Sequence, residues 1–335
     1  MPGAPTRKRP DAPSAASASP LCPAAMTVRS TVLARHAGAA LVMVVATLMW
    51  SQAGVITRHL HSADGLVLVF WRSTFAALGV LAWLLWRQGP RATVRDLRTA
   101  PRLLWLSSVF WGLMFTAFMV ALTLTTVAQT LVADSLSPLI AAVLGWAVLR
   151  HRLPARTWGA IALAMLGMGW MVWSNLRSAP GDGHLAGLLV ALIVPFAAAG
   201  NWVSLRRAGS AVPMQAAVMI GALLSALAVS IPGWPVAVDG HDLFWLAYLG
   251  VFQLALPGML AVWAAQRLAP AEVGLLGLLE VVFGTLWAWI GAGERPAGST
   301  LIGGALILAA LIGNEILGRH QARRLCKARE ELAGV

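Results

Sequence analysis

Charge is what this chain has least of. Charged side chains make up 11% of its 335 residues, only 13 of them acidic, and the mean hydropathy is +0.74. Soluble domains carry roughly 25% charged residues, so a water-soluble fold is excluded and the chain reads as a polytopic membrane protein. Cysteine is nearly absent: Cys22 and Cys326 lie near opposite ends, outside any apolar run, which excludes a disulfide framework and any metal-ligand spacing of cysteines. Catalytic signatures are missing as well. No His-Glu-x-x-His, Gly-x-Ser-x-Gly or Walker A pattern occurs, and His36, His59, His61, His151, His184, His241 and His320 all fall in loops or at the ends of apolar runs. These absences argue against an enzyme, call for no cofactor or metal, and leave ion or solute gradients to drive any transport.

What is present is apolar sequence, 59% of the chain. A membrane helix needs about 20 mainly apolar residues, and ten runs qualify: residues 37–57, 66–86, 103–123, 127–149, 157–175, 185–205, 213–232, 243–265, 270–290 and 299–318. Their short connections leave no room for an extramembrane domain. The net charge of +12 would raise nucleic acid as a partner of a soluble protein, but here the basic residues sit between the apolar runs. With the N-terminus inside, only Arg58, Arg177 and Arg295 fall in external connections. The other loop and tail arginines and lysines, from Arg7 to Arg329, are cytoplasmic. This asymmetry predicts an inner-membrane protein with both termini in the cytoplasm. Residues 1–35, rich in Pro, Ala and Ser, read as a disordered cytoplasmic segment without a cleavable signal, with Met26 as a second candidate start. Residues 319–335 read as a basic cytoplasmic tail.

The chain resembles itself. When Ser137 is laid on Glu280, "SPLIAAVLGWAVL" (137–149) covers "EVVFGTLWAWIGA" (280–292), and the runs that follow each also align. Runs four and five therefore repeat as nine and ten. The predicted fold is all-α, ten transmembrane helices as two inverted five-helix repeats over residues 36–176 and 184–318, inverted because five is odd.

Ionisable residues well inside a run are rare, since a central charge costs about 2.5 to 3.5 kcal/mol on insertion scales. They are Arg72, Asp134 and Glu280; Glu315 sits near the cytoplasmic end of run ten. At about 1.5 Å per residue both acids lie near the midplane. Either they line a substrate cavity, binding a substrate amine or a coupling proton, or they are paired with Arg72 or a serine and hold the bundle in register. Arg72 lies nearer the outer end of its run and is placed to snorkel. Further polar groups within runs are Trp50, Ser51, Gln52, Gln129, Asn201, Trp202 and Gln253. Trp71, Trp86, Trp105, Trp158, Trp173 and Trp245 near run ends read as interface anchors. Small residues at every fourth position, Ala160 and Ala164 in run five and Ala305, Ala309 and Gly313 in run ten, predict close helix packing within one chain or between two copies in a homodimer.

The paired segments "VAQTLVADSLSPLIAAVLGWAVLRHRLPARTWGAIALAMLGM" and "PAEVGLLGLLEVVFGTLWAWIGAGERPAGSTLIGGALILAAL" resemble the two EamA domains of the drug/metabolite transporter superfamily, with the Gly-Glu-Arg turn at Gly293, Glu294 and Arg295. Two positions depart from that pattern: His151 stands for the usual Glu in the first half, and Val281 for the usual Pro in the second, which predicts that run nine is less kinked than run four. The resemblance implies a carrier of a small-molecule substrate in the lipid bilayer, working by alternating access and exporting amino acids or related polar metabolites. A nucleobase, sugar or lipid-linked cargo stays open, as does a membrane enzyme or scaffold. It further implies a central cavity lined by the first, third, fourth, sixth, eighth and ninth helices, which makes Trp50, Trp111, Asn201 and Gln253 candidates beside Asp134, Glu280 and Arg72.

Overall fold

The computed structural model describes residues 22–333 apart from 54–55, 57–59, 62–64, 125–132, 135, 151–152, 177–183, 211, 231–237 and 293–297. Of residues 22–35 only the backbone is described. Gln129, Arg58, Arg177, Arg295, the turn at Gly293 and Glu294, His151, and the first 21 residues lie outside the described residues.

Every regular element among the described residues is helical. Run one forms α1 (Cys22–Trp50), run two α2 (Gly65–Arg98), run three α3 (Arg102–Leu124), run four α4 (Ser137–Leu149) and run five α5 (Ala155–Leu176). Run six forms α6 (His184–Ala208) and run seven α7 (Ala216–Ser230). Run eight is composite: α8 (Gly240–Tyr248), a π-helical segment (Leu249–Ala255) and α9 (Leu256–Ala265). Run nine divides into α10 (Pro270–Gly277) and α11 (Leu279–Ala292), and run ten is α12 (Gly298–Ala333). Five stretches are long and apolar enough to cross a bilayer: Gly65–Arg98, Arg102–Ala121, Leu189–Ala208, Gly240–Ala265 and Leu301–Gly318. The chain is thus a multi-pass membrane protein.

Two boundaries differ from the sequence reading. Residues 22–35, expected to be irregular, continue α1, and residues 319–333 continue α12 beyond the apolar run. A third boundary has a visible cause. Gly89 adopts φ 79°, a left-handed conformation, directly before Pro90, which lacks an N–H. Together they end the apolar part of α2, and the arginine-bearing stretch to Arg98 leaves at a new angle.

Packing between the runs follows a regular exchange. Run three packs on run six as run eight packs on run one; three on seven as eight on two; four on six as nine on one. Runs two and seven, four and nine, and five and ten pack on each other. Each extensive interface either has a counterpart five runs on or is its own counterpart.

The last of these, α5 against α12, depends on small residues. A Cβ added at Gly167 would stand 2.8 Å from the Gly303 carbonyl oxygen and equally close to Leu306 Cβ. Ala160 and Ala164 are buried here with Ile307 and Ala310. Ala305 and Ala309 take no part in this contact and face outward, because the contact stripe of α12 runs through Gly303, Ile307 and Ala310 on another side of the helix. Trp86, Trp105, Trp158 and Trp173 are exposed near the ends of their apolar runs, as interface anchors should be. Gly167→Leu should therefore lower stability by about 1–3 kcal/mol through overpacking, read as an earlier thermal unfolding midpoint of the detergent-solubilised protein. An unchanged midpoint would show that this interface is loose.

Candidate functional site

Three helix interruptions converge in the middle of the bundle. The first is the end of α1. Its regular helix ends at Trp50, and a turn through Ser51 and Gln52 follows, in which Ser51 N–H still bonds the Thr47 carbonyl (3.0 Å) and Gln52 N–H reaches the Met49 carbonyl at 3.5 Å. The Trp50 carbonyl accepts a hydrogen bond from Gln253 Nε2 (3.0 Å), and Gln52 Oε1 accepts one from the Tyr248 hydroxyl (2.9 Å). Trp287 Nε1 donates to Ser51 Oγ (3.0 Å), whose own proton goes to the Leu48 carbonyl (2.7 Å). An irregular backbone at membrane depth is tolerated only when protein groups satisfy it in this way.

The second interruption is the π-helical stretch that carries Gln253. Its wider turn shifts side-chain phase relative to the α-helices on either side, and Gln253 is buried against α1. The third is a pair of helix starts at mid-run. α4 begins at Ser137 with Pro138 in its first turn, where the ring can be accommodated. α11 begins at Leu279, so Glu280 lies in a first helical turn as well. Run nine was expected to be less kinked because Val281 replaces proline. It is nevertheless interrupted, at Leu278. Gly274 of α10 lies so close to α4 that an added Cβ would be 2.9 Å from Pro138 Cα. Helix N-termini present unpaired N–H groups and a positive dipole end, a setting that favours carboxylates or an anionic ligand group.

Between these elements lies a cavity of about 120 Å³, measured as the space open to the centre of a water-sized sphere, far more than the ~10–15 Å³ a single water requires. Its walls are aromatic and apolar: Trp50, Trp111, Phe115, Phe118 and Trp202, with Met43 and Met114. Trp111 sits at the centre of this set, 6.3 Å from Trp50 and 5.6 Å from Trp202 between ring centroids, edge-on to the latter. Its polar lining comprises Arg72, Asp134, Ser137, Gln253 and Glu280.

Six of the seven candidates, Trp50, Arg72, Trp111, Asp134, Gln253 and Glu280, thus border one space. Arg72, expected near the outer face with its head in the interface, is only 5% exposed and turns inward. No carboxylate among the described residues lies within 4.0 Å of its guanidinium, although both Arg72 and Asp134 are near enough to Glu280 to act on its charge. The pairing of an acid with a serine does occur: Ser137 Oγ donates to Asp134 Oδ1 (2.9 Å). Three buried polar atoms of the lining, Arg72 Nε, Trp111 Nε1 and Gln253 Oε1, have no hydrogen-bond partner among the described residues.

Asn201 is the exception. It is fully buried, and its Oδ1 accepts a hydrogen bond from Ser107 Oγ at 2.6 Å, joining α6 to α3 outside the cavity. Its neighbour Trp202 takes the lining position, with Ala198 and Val194 one and two turns earlier. Successive helical residues point about 100° apart, so a one-residue offset turns Asn201 away. The aromatic lining of α3 had a readable signal: Trp111, Met114, Phe115 and Phe118 follow the i, i+3, i+4, i+7 spacing of one helical face.

An all-helical, multi-pass membrane fold whose mid-bundle cavity sets a few polar groups in apolar walls is an architecture that suits a membrane carrier. The sequence matches the EamA-like transporter family over residues 37–173 and again over 185–314, and the chain belongs to that family. A solved structure described as "Crystal structure of protein" is similar in fold, with a TM-score of 0.69 at 18% identity, covering 85% of this chain and 99% of that one. No curated protein matches.

The lining can be tested without knowing a substrate. With Cys22 and Cys326 replaced by Ser, Ala198→Cys should react with a small membrane-permeant maleimide, whereas Ala199→Cys, fully buried against protein, should not. Equal reactivity at both positions would contradict the assignment of the α6 face.

Proposed function

We propose that this protein is a secondary transporter of the inner membrane that exports amino acids or related small polar metabolites by alternating access. The observation that carries this reading is the shared cavity, where one cationic side chain, Arg72, and two carboxylates, Asp134 and Glu280, are framed by aromatic walls. A zwitterion presents complementary charges to such a lining, with its carboxylate toward Arg72 and its ammonium toward Glu280 and Asp134. The Trp111 and Trp202 rings add flat apolar walls on one side of that space. Mostly apolar walls with a few convergent polar groups are usual for small-molecule sites.

The accompanying topology is ten membrane helices in two inverted repeats, residues 36–176 and 184–318, with both termini cytoplasmic. Two independent features support it. The exchange of packing partners five runs apart is what a pseudo-two-fold relation between the halves would produce. The concentration of arginine in alternate connections, such as Arg87, Arg91, Arg95 and Arg98 after the apolar part of α2, follows the positive-inside rule. Inverted halves around a midplane site give two related conformations, one open to each side.

Counterflow in proteoliposomes tests the class directly: labelled amino acid should accumulate when unlabelled amino acid is loaded on the opposite side. Absence of counterflow across amino acids, nucleobases and sugars would favour an enzyme or scaffold. For an amino acid that does exchange, Arg72→Gln should raise the half-saturation concentration about tenfold or more, equivalent to about 1.4 kcal/mol for each factor of ten. Asn201→Ala should leave that concentration unchanged. Glu280→Gln and Asp134→Asn test coupling. If either acid carries the coupling proton, its variant should exchange substrate but lose pH-gradient-driven accumulation. Retention of gradient-driven uptake in both variants would remove the acids from the coupling step.

A further inference from the structure

Away from the cavity, two histidines and two aspartates from distant parts of the sequence meet where the connection before α2 crosses the N-terminus of α8. His61 Nδ1 lies 3.0 Å from Asp239 Oδ2, and the His61 backbone N–H donates to Asp242 Oδ1 at 2.9 Å. Asp239 is the N-cap of α8: its other oxygen, Oδ1, accepts the Asp242 N–H at 2.7 Å. His241 stacks on His61, ring centroids 4.6 Å apart and planes 14° from parallel, with its Nδ1 3.4 Å from Asp242 Oδ1. One ligand atom from each of the four side chains lies within 4.8 Å of the other three.

We propose that His61, Asp239, His241 and Asp242 form a binding site for a divalent transition-metal ion of the zinc type. Two imidazole nitrogens with two carboxylate oxygens suit Zn²⁺ and its neighbours, whereas Mg²⁺ and Ca²⁺ prefer oxygen ligands alone. The pieces differ in rigidity in a way that serves capture. Asp242 is only 2% exposed and is fixed by the helix start, while His61 and Asp239 are 69% and 51% exposed and accessible to an ion from water. The Trp245 indole N–H donates to His241 Nε2 at 3.2 Å, so a neutral His241 keeps its proton on Nδ1, toward Asp242. For His241 to ligate through Nδ1, that proton leaves to solvent or to Nε2 as Trp245 turns aside. Binding should accordingly release protons and weaken as the pH falls. A bound ion would pin the α1–α2 connection to the second half of the chain, on the external face in the orientation proposed above.

The site does not depend on the transport reading, and its test is a binding measurement. The full-length protein, purified in detergent without a polyhistidine tag, is titrated calorimetrically with ZnCl₂ in two buffers of different ionisation enthalpy. One Zn²⁺ per chain in the micromolar range, with proton release and no competition from millimolar Mg²⁺, is the expected result. His61→Ala and His241→Ala should each weaken binding at least tenfold, and Asp239→Asn should weaken it similarly. The zinc-induced rise in thermal midpoint should disappear in the His61→Ala/His241→Ala double variant, whose midpoint without zinc reports whether it is folded. No saturable binding by the parent protein, or undiminished binding by a folded double variant, would overturn the proposal.

Discussion

The structure depends on keeping three ionisable side chains inside an otherwise apolar bundle. Each unpaired charge in hydrocarbon opposes folding, so Arg72, Asp134 and Glu280 need polar surroundings that lipid cannot provide. The fold supplies a cavity of about 120 Å³, two helix starts beside the carboxylates, and the Ser137 hydroxyl on Asp134. That arrangement requires broken helices, and broken helices need partners for their freed backbone groups. Gln253, Tyr248 and Trp287 supply polar contacts around the end of α1. The π-helical stretch in run eight and the interruption of run nine belong to the same constraint.

A bundle that holds polar groups at its centre pays close attention to contact at its periphery. Gly167 against Gly303, and Gly274 against Pro138, allow backbone approach where side chains would separate the helices. Without lipid-excluding hydrophobic pressure between membrane helices, such close packing is a principal source of association. The exchange of packing partners between the two halves gives each set of interfaces a counterpart in the other.

Much of this was legible in the sequence, but unevenly. Ionisable residues inside apolar runs stand out because their cost is high, and Asp134, Glu280 and Arg72 do share the cavity. Depth along the run misjudged Arg72: its position suggested an outward-reaching side chain, while tertiary packing turned it inward. Choosing Asn201 over Trp202 failed for a different reason. A resemblance assigns a helix to the cavity but leaves its facing side undetermined, and that side is set by the Val194, Ala198, Trp202 stripe, one residue away from Asn201. Nothing in the composition of "LGVFQLA" (249–255) marks a π-helix. Likewise His61, Asp239, His241 and Asp242 come together only after folding, so as separate loop histidines and acids they carried no signal.

The central claim is that one cavity is reached alternately from the two faces of the membrane. Ala53 borders that cavity beside the broken end of α1. In a variant lacking Cys22 and Cys326, a single Ala53→Cys can be challenged in sealed vesicles with a membrane-impermeant maleimide applied to one face or the other. Alternating access predicts labelling from both faces, with each rate reduced by saturating substrate. Labelling from one face alone, unaffected by any exchanged substrate, would contradict it.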